Sequence, residues 1–333
     1  MGMKDMTIAK RIITGAAVAT AMLVAGASAN AQSYPSRPIT VIIPFAGGSA
    51  SDVVSRIMFN KMSQSMGQPI VVENKPGAGG NSGTQLAAKS TPDGYTLVGA
   101  GSGPIAANIS LYKSLGYDPQ KELAIISPFA SFTIVVTVSN KLGVKSIQEL
   151  IERAKKEPGA LNYGSVGIGS SQHLAGEYFS QVTGVKLTHV PYKNIGQFGP
   201  DLISGQVQLG FQWYPNVAGP INAKGATALA VAGDVRLAAL PDTPTTTQAG
   251  LAQYKVDGWF ALAAPTGVPA PIMERLNKEL NAALADPTVK SGFEKAGAVP
   301  IGRSLEASKK FHADEIVKYR EIITKAGIPQ IGS

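Results

Sequence analysis

Two stretches of this sequence have residue types and spacing that could do chemistry. Val41 to Val54 reads VIIPFAGGSASDVV, and Ala160 to Phe179 reads ALNYGSVGIGSSQHLAGEYF. Each runs from an extended segment through glycines and serines into a helical pattern. A strand-to-helix turn of this kind presents backbone N–H groups and the positive end of a helix dipole, so it favours an anion. A Walker loop ends in Gly-Lys-Ser/Thr, and neither loop contains a lysine. A Rossmann fingerprint needs a third glycine, but Gly167-Ile168-Gly169 is followed by Ser170, Ser171 and Gln172. Nucleotide phosphates therefore fit poorly, and a carboxylate held by backbone amides and serine hydroxyls fits better. Either stretch alone could be no more than a tight turn. Together, about one small domain apart, they are explained by two domains that each offer one loop to a shared cleft.

Catalytic machinery is hard to assemble from the remaining residues. The three histidines are His173, in the helix after the second loop, His189, at a strand end, and His312, in the last helix. All three read as packing or helix-surface groups. No G-x-S-x-G elbow occurs, no H-x-x-x-H spacing, no calcium-type carboxylate cluster and no cysteine. Asp52 reads as a cap for the first helix rather than a base. The expectation is a protein without catalytic residues, metal or cofactor. Two rivals stay open: an exported hydrolase acting through Ser170 or Ser49 with a distant histidine, and the ligand-sensing subunit of a signalling system.

The elements that must position these loops read as α/β layers. Strand candidates are residues 39–45, 70–73, 96–100, 133–138, 187–192, 208–213 and 226–232, several apolar on both faces. Val53, Val54, Ile57, Met58 and Met62 recur at helical spacing, Ser146 to Glu149 is a capping-box signal, and Pro271 opens a helix carrying Leu276, Leu280 and Leu284. At the start, Lys4, Lys10 and Arg11 precede an apolar run from Ile12 to Gly26, and Ala29-Asn30-Ala31 supplies a signal-peptidase site. Residues 1–31 thus read as an export signal, with the mature chain beginning near Gln32. In a two-membrane host the destination is the periplasm. Loss of the signal lowers the formal charge from +8 to +6. The remaining cations are scattered, which argues against nucleic acid but could gather anionic small molecules. About 300 residues exceed what one core usually organises, which favours two domains.

The residues also carry a family resemblance. YPSRPITVIIPFAGGSASDVVSR, GQPIVVENKPGAGGNSGTQLAAKSTPDGYTLV, NYGSVGIGSSQHLAGEYF, THVPYK, LPDTPTTTQAGL and GWFALAAPTGVPAPIMERLNKEL follow one another along nearly the whole mature chain. This combination resembles the Bug-type solute receptors of tripartite tricarboxylate transporters. The resemblance implies a periplasmic binding protein (Venus-flytrap) fold of two α/β domains with a cleft between them. It implies a monomer that delivers a small organic mono- or dicarboxylate to membrane transporter subunits. Domain one is then residues 34–131 plus 258–333, and domain two residues 132–257. In the family both glycine loops hold a carboxylate through backbone amides, hydroxyls and bound water. The matching candidates are Phe45, Gly47, Gly48, Ser49, Ala50 and Ser51 in the first loop, and Ser165, Gly167, Gly169, Ser170 and Ser171 in the second. Ser102, Gln212 and Trp213 complete the set. Gly-Ser-x-Ser-Asp in the first loop resembles members that take aromatic dicarboxylates such as terephthalate. Gln212 stands where amino-acid binders often have aspartate, which disfavours amino-acid ligands. Trp213 reads either as a ring platform for ligand or as ordinary core packing.

Overall fold

A computed structural model describes residues 34–325 and 327–332, so the expected export signal lies outside the described residues. The apolar runs become β1 (Ile39–Ile43), β2 (Ile70–Asn74), β3 (Thr96–Gly101), β4 (Leu123–Thr133), β5 (Val135–Ser139), β6 (Asn162–Ser165), β7 (Thr188–Pro191), β8 (Leu209–Gln212), β9 (Ala226–Val231), β10 (Asp257–Pro265) and β11 (Ala298–Pro300). They form two sheets, in the order β11-β4-β10-β3-β1-β2 and β7-β6-β8-β5-β9. In the first sheet β1 is parallel to β2 and β3, and β10 runs antiparallel to β3 and β4. In the second, β6 is parallel to β7 and β8, while β5 is antiparallel to β8 and β9. The architecture is the two-sheet α/β periplasmic binding protein fold.

Each sheet buries its apolar faces under helices. In the helix Ala270–Ala285, Leu276, Leu280 and Leu284 are all buried, and Pro271 sits in its first turn, where its missing N–H costs nothing. The helix Ile147–Lys156 starts as its capping box requires: Ser146 Oγ accepts from Glu149 N at 3.1 Å, and Glu149 reaches back to Lys145 N at 2.8 Å. The last helix, Leu305–Lys325, buries Ile316, Tyr319 and Ile323 against the first sheet's core. His312 is buried on it and its Nε2 lies 2.9 Å from the Ile105 carbonyl, a packing role.

Strand boundaries differ from the pattern where proline intervenes. β1 stops at Ile43 because Pro44 has no N–H to continue the ladder. β4 and β10, the longest strands, escaped the strand reading. β4 is interrupted in pattern by Ser127, Pro128 and Ser131, and Pro128 is accommodated beside a register shift in its pairing with β10. β4 passes to β5 through the single residue Ile134, and β10 returns the chain to the first sheet at Asp257.

Candidate functional site: two Gly/Ser loops across a cavity

The first loop leaves β1 at Pro44 and enters the helix Ala50–Met66 at Ser49. Gly48 takes φ +77, a left-handed conformation that suits glycine. Ser49 occupies the N-cap position but makes no cap bond; its Oγ instead lies 2.8 Å from Ser51 Oγ. The loop is held from its flank. Asp52 accepts from Gly48 N at 2.9 Å, from Asn74 Nδ2 at 2.9 Å and from Arg56 Nε at 2.9 and 3.0 Å. Asn74 Nδ2 also donates to the Phe45 carbonyl at 3.0 Å. Burial pushes the Asp52 carboxyl up, but the bonds from Arg56, Gly48 and Asn74 outweigh it and hold the group below its ordinary value. Asp52 therefore ties the turn to the helix as an ionised acceptor.

The second loop leaves β6 at Ser165 and enters the helix Ser171–Thr183 through Gly167 (φ +126), Gly169 (φ +81) and the N-cap Ser170. Here the serines serve the loop itself. Ser170 Oγ accepts from His173 N at 3.3 Å and donates to the Gly167 carbonyl at 2.7 Å. Ser165 Oγ accepts from Gly167 N at 3.0 Å and lies 2.6 Å from His189 Nε2. His173 Nδ1 accepts from Gly169 N at 3.2 Å, which places any ring proton on Nε2. The His173 and His189 rings lie 4.3 Å apart. Burial pushes both imidazoles down, His173 to about 4 and His189 to about 3, the latter helped by repulsion from its neighbour. Both are neutral at physiological pH. Among the described residues no carboxylate completes a Ser-His-acid relay: Glu177 is 3.9 Å from His173 Nε2 and accepts from the Tyr163 hydroxyl at 2.6 Å.

The loops meet across a seam. Gly79 and Gly103, on the first-sheet side, approach the carbonyls of Ile168 and Gly169 so closely that a Cβ at either would overlap them. Tyr112 OH donates to the Ile168 carbonyl at 3.1 Å. Ser102 Oγ lies 2.8 Å from Ser171 Oγ and accepts from Tyr319 OH at 2.9 Å. Ala50 N donates to Asn216 Oδ1 at 3.2 Å, and Asn216 Nδ2 donates to Gln212 Oε1 at 2.9 Å. Gln212 Nε2 in turn donates to the Gly164 carbonyl at 2.9 Å. Trp213 stacks on Phe132 at 4.8 Å and meets Phe260 edge-on at 5.0 Å, with its Cζ2 edge against Gly258 beside Ser171. Its Nε1, on that same edge, and both amide atoms of buried Gln172 have no hydrogen-bond partner among the described residues.

Between the loops lies a cavity of about 340 Å³. Phe45, Ala46 and Ser49 line it from the first loop, and Val166, Gly167 and Ile168 from the second. Residues 76–79, Tyr112, Pro191, Tyr192 and Lys193 complete most of the wall. Of the candidates read from sequence, Phe45, Ser49 and Gly167 face this space. Gly47 and Gly48 are exposed in the first loop, and Ala50 and Ser51 are buried at the start of the helix that follows it. Ser165, Gly169 and Ser170 brace the second, and Ser102, Ser171, Gln212 and Trp213 sit at the seam. The amides of Gly48 and Gly169 already have acceptors. Tyr112, Asn216, Lys193 and the Pro76–Gly79 turn were missed, since nothing local marks them. Among the described residues no cluster of His, Asp or Glu could hold a metal, and no helix is long and apolar enough to cross a membrane.

A two-sheet fold with facing glycine loops and a cavity between them suits a solute receptor. The family model described as "Tripartite tricarboxylate transporter family receptor" matches residues 54–328, and the chain belongs to that family. It is 34% identical over 316 residues to Protein BugT of Bordetella pertussis, covering 95% of this chain and 96% of that one. A solved structure of a periplasmic transporter, 37% identical, superposes with a TM-score of 0.85 over 90% of this chain and 100% of its own. The structure of R. palustris Rpa4515 with adipate, 32% identical, gives 0.86 over 90% and 100%. The protein is thus a Bug-type solute-binding receptor and not an enzyme.

Proposed function

We propose that this receptor captures a small organic carboxylate, preferentially a dicarboxylate, between its two Gly/Ser loops and passes it to the membrane subunits of a tripartite tricarboxylate transporter. Residues 1–31 direct it to the periplasm and are removed near Ala31/Gln32. The carrying observation is the cavity wall, which joins both loops, offers Ser49 and loop backbone to an anion, and contains no acidic side chain. In this reading residues 34–131 with 258–333 form one domain and 132–257 the other, in a monomer. Support comes from the sheets, since β5–β9 pair only with one another. The crossings at Ile134 and before Asp257 are then where the halves swing apart to admit ligand. Ser102, Ser171 and the free Trp213 Nε1 contribute at the seam, directly or through a bound water.

Rpa4515 was solved with a flexible aliphatic diacid. The wall here places Phe45, Tyr112 and Tyr192 around the space, which favours a flat body such as the ring of terephthalate. A rigid ring also loses less freedom on binding. Trp213, packed on Phe132 and Phe260, does not serve as the ring platform in this reading. Calorimetry with terephthalate, adipate and terephthalamide tests both levels. Terephthalate should bind tightest and the diamide at least about 100-fold more weakly, because a carboxylate accepts charge-assisted bonds that an amide cannot match. Equal affinity for acid and amide would remove the carboxylate reading; tighter binding of adipate would remove only the aromatic preference.

A further inference from the structure

We infer that Lys193 receives the second, distal carboxylate of the ligand and sets a preference for diacids over monoacids. The inference rests on the proposed seat of the first carboxylate at the loops. Among the described residues Lys193 is the only charged side chain on the cavity wall. It makes no ion pair among the described residues, unlike Lys61, Lys75, Lys89 and Lys318, which all hold carboxylates. An unpaired cation at the rim of a space with apolar walls acts on whatever enters, because the low-dielectric wall screens it less than open water would.

Its backbone is also fixed relative to the second loop. β7 runs parallel to β6 with Pro191 opposite Ser165, and Tyr192 N donates to the Ser165 carbonyl at 2.9 Å. The Tyr192 ring packs edge-on against Phe198, and its hydroxyl donates to Asp201 Oδ2 at 2.7 Å. The chain therefore holds the Lys193 backbone beside the same loop that contributes Gly167 to the cavity, and Lys193 itself lines that space. A ligand with its first carboxylate at Ser49 has room for a hydrocarbon body along the wall and a second anion at Lys193. A monoacid leaves that ammonium in water and gains nothing from it.

The test compares matched pairs by calorimetry: adipate with hexanoate, and terephthalate with 4-methylbenzoate. On the parent protein each diacid should bind more tightly than its monoacid. Lys193→Met should weaken both diacids about 10- to 100-fold, the range of a charge-assisted bond. It should change the monoacids less than about 2-fold, within what surface substitutions usually do. Lys193→Arg should restore most of the difference. Lys193 is exposed, so the variant should melt with the parent. Equal weakening of diacid and monoacid, or none, would overturn the inference while leaving the loop seat intact. If the parent binds neither member of either pair, the seat itself is wrong and the inference falls with it.

Discussion

At the first loop Ser49 leaves its helix uncapped and the backbone is held from outside, by the ionised Asp52 with Arg56 and Asn74. At the second loop Ser170 caps its helix and Ser165 folds onto Gly167, with two neutral imidazoles behind them. The same Gly/Ser-to-helix pattern is thus stabilised once by charge and once by neutral hydrogen bonds. In the first loop Ser49 is among the residues lining the cavity; in the second Ser165 and Ser170 turn their hydroxyls onto the loop, and Val166, Gly167 and Ile168 line the cavity. If a carboxylate is seated here as proposed, the first loop's own negative charge, Asp52, is already matched by Arg56. The second loop carries no charge at all at neutral pH, so it adds none to repel the ligand.

Removing the charged support should have the largest effect. Asp52→Ala deletes the acceptor of Gly48, Asn74 and Arg56 at once. Bonds to a charged acceptor contribute about 1.5–3 kcal/mol each, discounted here because Arg56 is half exposed. A loss of about 3 kcal/mol at pH 7, read from denaturant midpoints, is expected. The folded carboxyl lies below its usual 3.8, so this contribution is fully present above that value and fades as pH falls through the lowered folded one. The difference between parent and variant should therefore shrink only in strong acid. An Asp52→Ala protein as stable as its parent would mean the first loop does not depend on charge.

The contrast between the loops was only partly legible in the sequence. Local features could be read directly: the glycines that take positive φ in both loops, the capping box at Ser146, and the leucine stripe at 276, 280 and 284. Each depends on neighbours within about one helical turn. The partners that distinguish the loops come from elsewhere: Asn74 from the end of β2, His189 from within β7, Asn216 from the helix after β8, and Lys193 from the turn after β7. Their placement follows from strand order, which residue spacing does not encode. β4 and β10 stayed hidden for a related reason. Both are buried along most of their length and each contains a proline, Pro128 within β4 and Pro265 at the end of β10, so neither shows alternation, yet they carry the chain between the sheets.

The neutral support should reveal itself by pH. His173 and His189 titrate at about 4 and about 3 in the fold, against 6.5 for a free imidazole. The unfolded chain binds protons first, so the stability they confer is intact above about 6.5 and declines as pH falls from there toward the folded values. Two such groups should cost about 2 kcal/mol between pH 6.5 and 5.5, a window in which Asp52 is silent. Denaturation midpoints of the parent and of His173→Gln with His189→Gln decide it. The doubly substituted protein should lose most of that slope, and what remains belongs to His312, whose imidazole burial also pushes down. A parent already flat there would show that the imidazoles are protonated without consequence, and the second loop would lose its neutral character.

The smallest effects come from the two N-cap serines, and they separate the loops most cleanly. Ser170→Ala removes a cap bond and the donor to Gly167, which should lower stability by about 1 kcal/mol. Its effect on ligand affinity should follow only from a loosened loop, so lowering the temperature should recover binding. Ser49→Ala removes no cap bond, and its partner Ser51 can turn its hydroxyl elsewhere, so stability should stay within about 0.5 kcal/mol of the parent. Because Ser49 faces the cavity, the cost should appear in binding instead: about a 10-fold weaker diacid affinity, one hydrogen bond to a carboxylate, with no recovery on cooling. Midpoints and calorimetry on the same two proteins give all four numbers. If Ser49→Ala loses stability while Ser170→Ala loses affinity without any change in midpoint, then the hydroxyl facing the ligand belongs to the second loop and the assignment of roles must be exchanged.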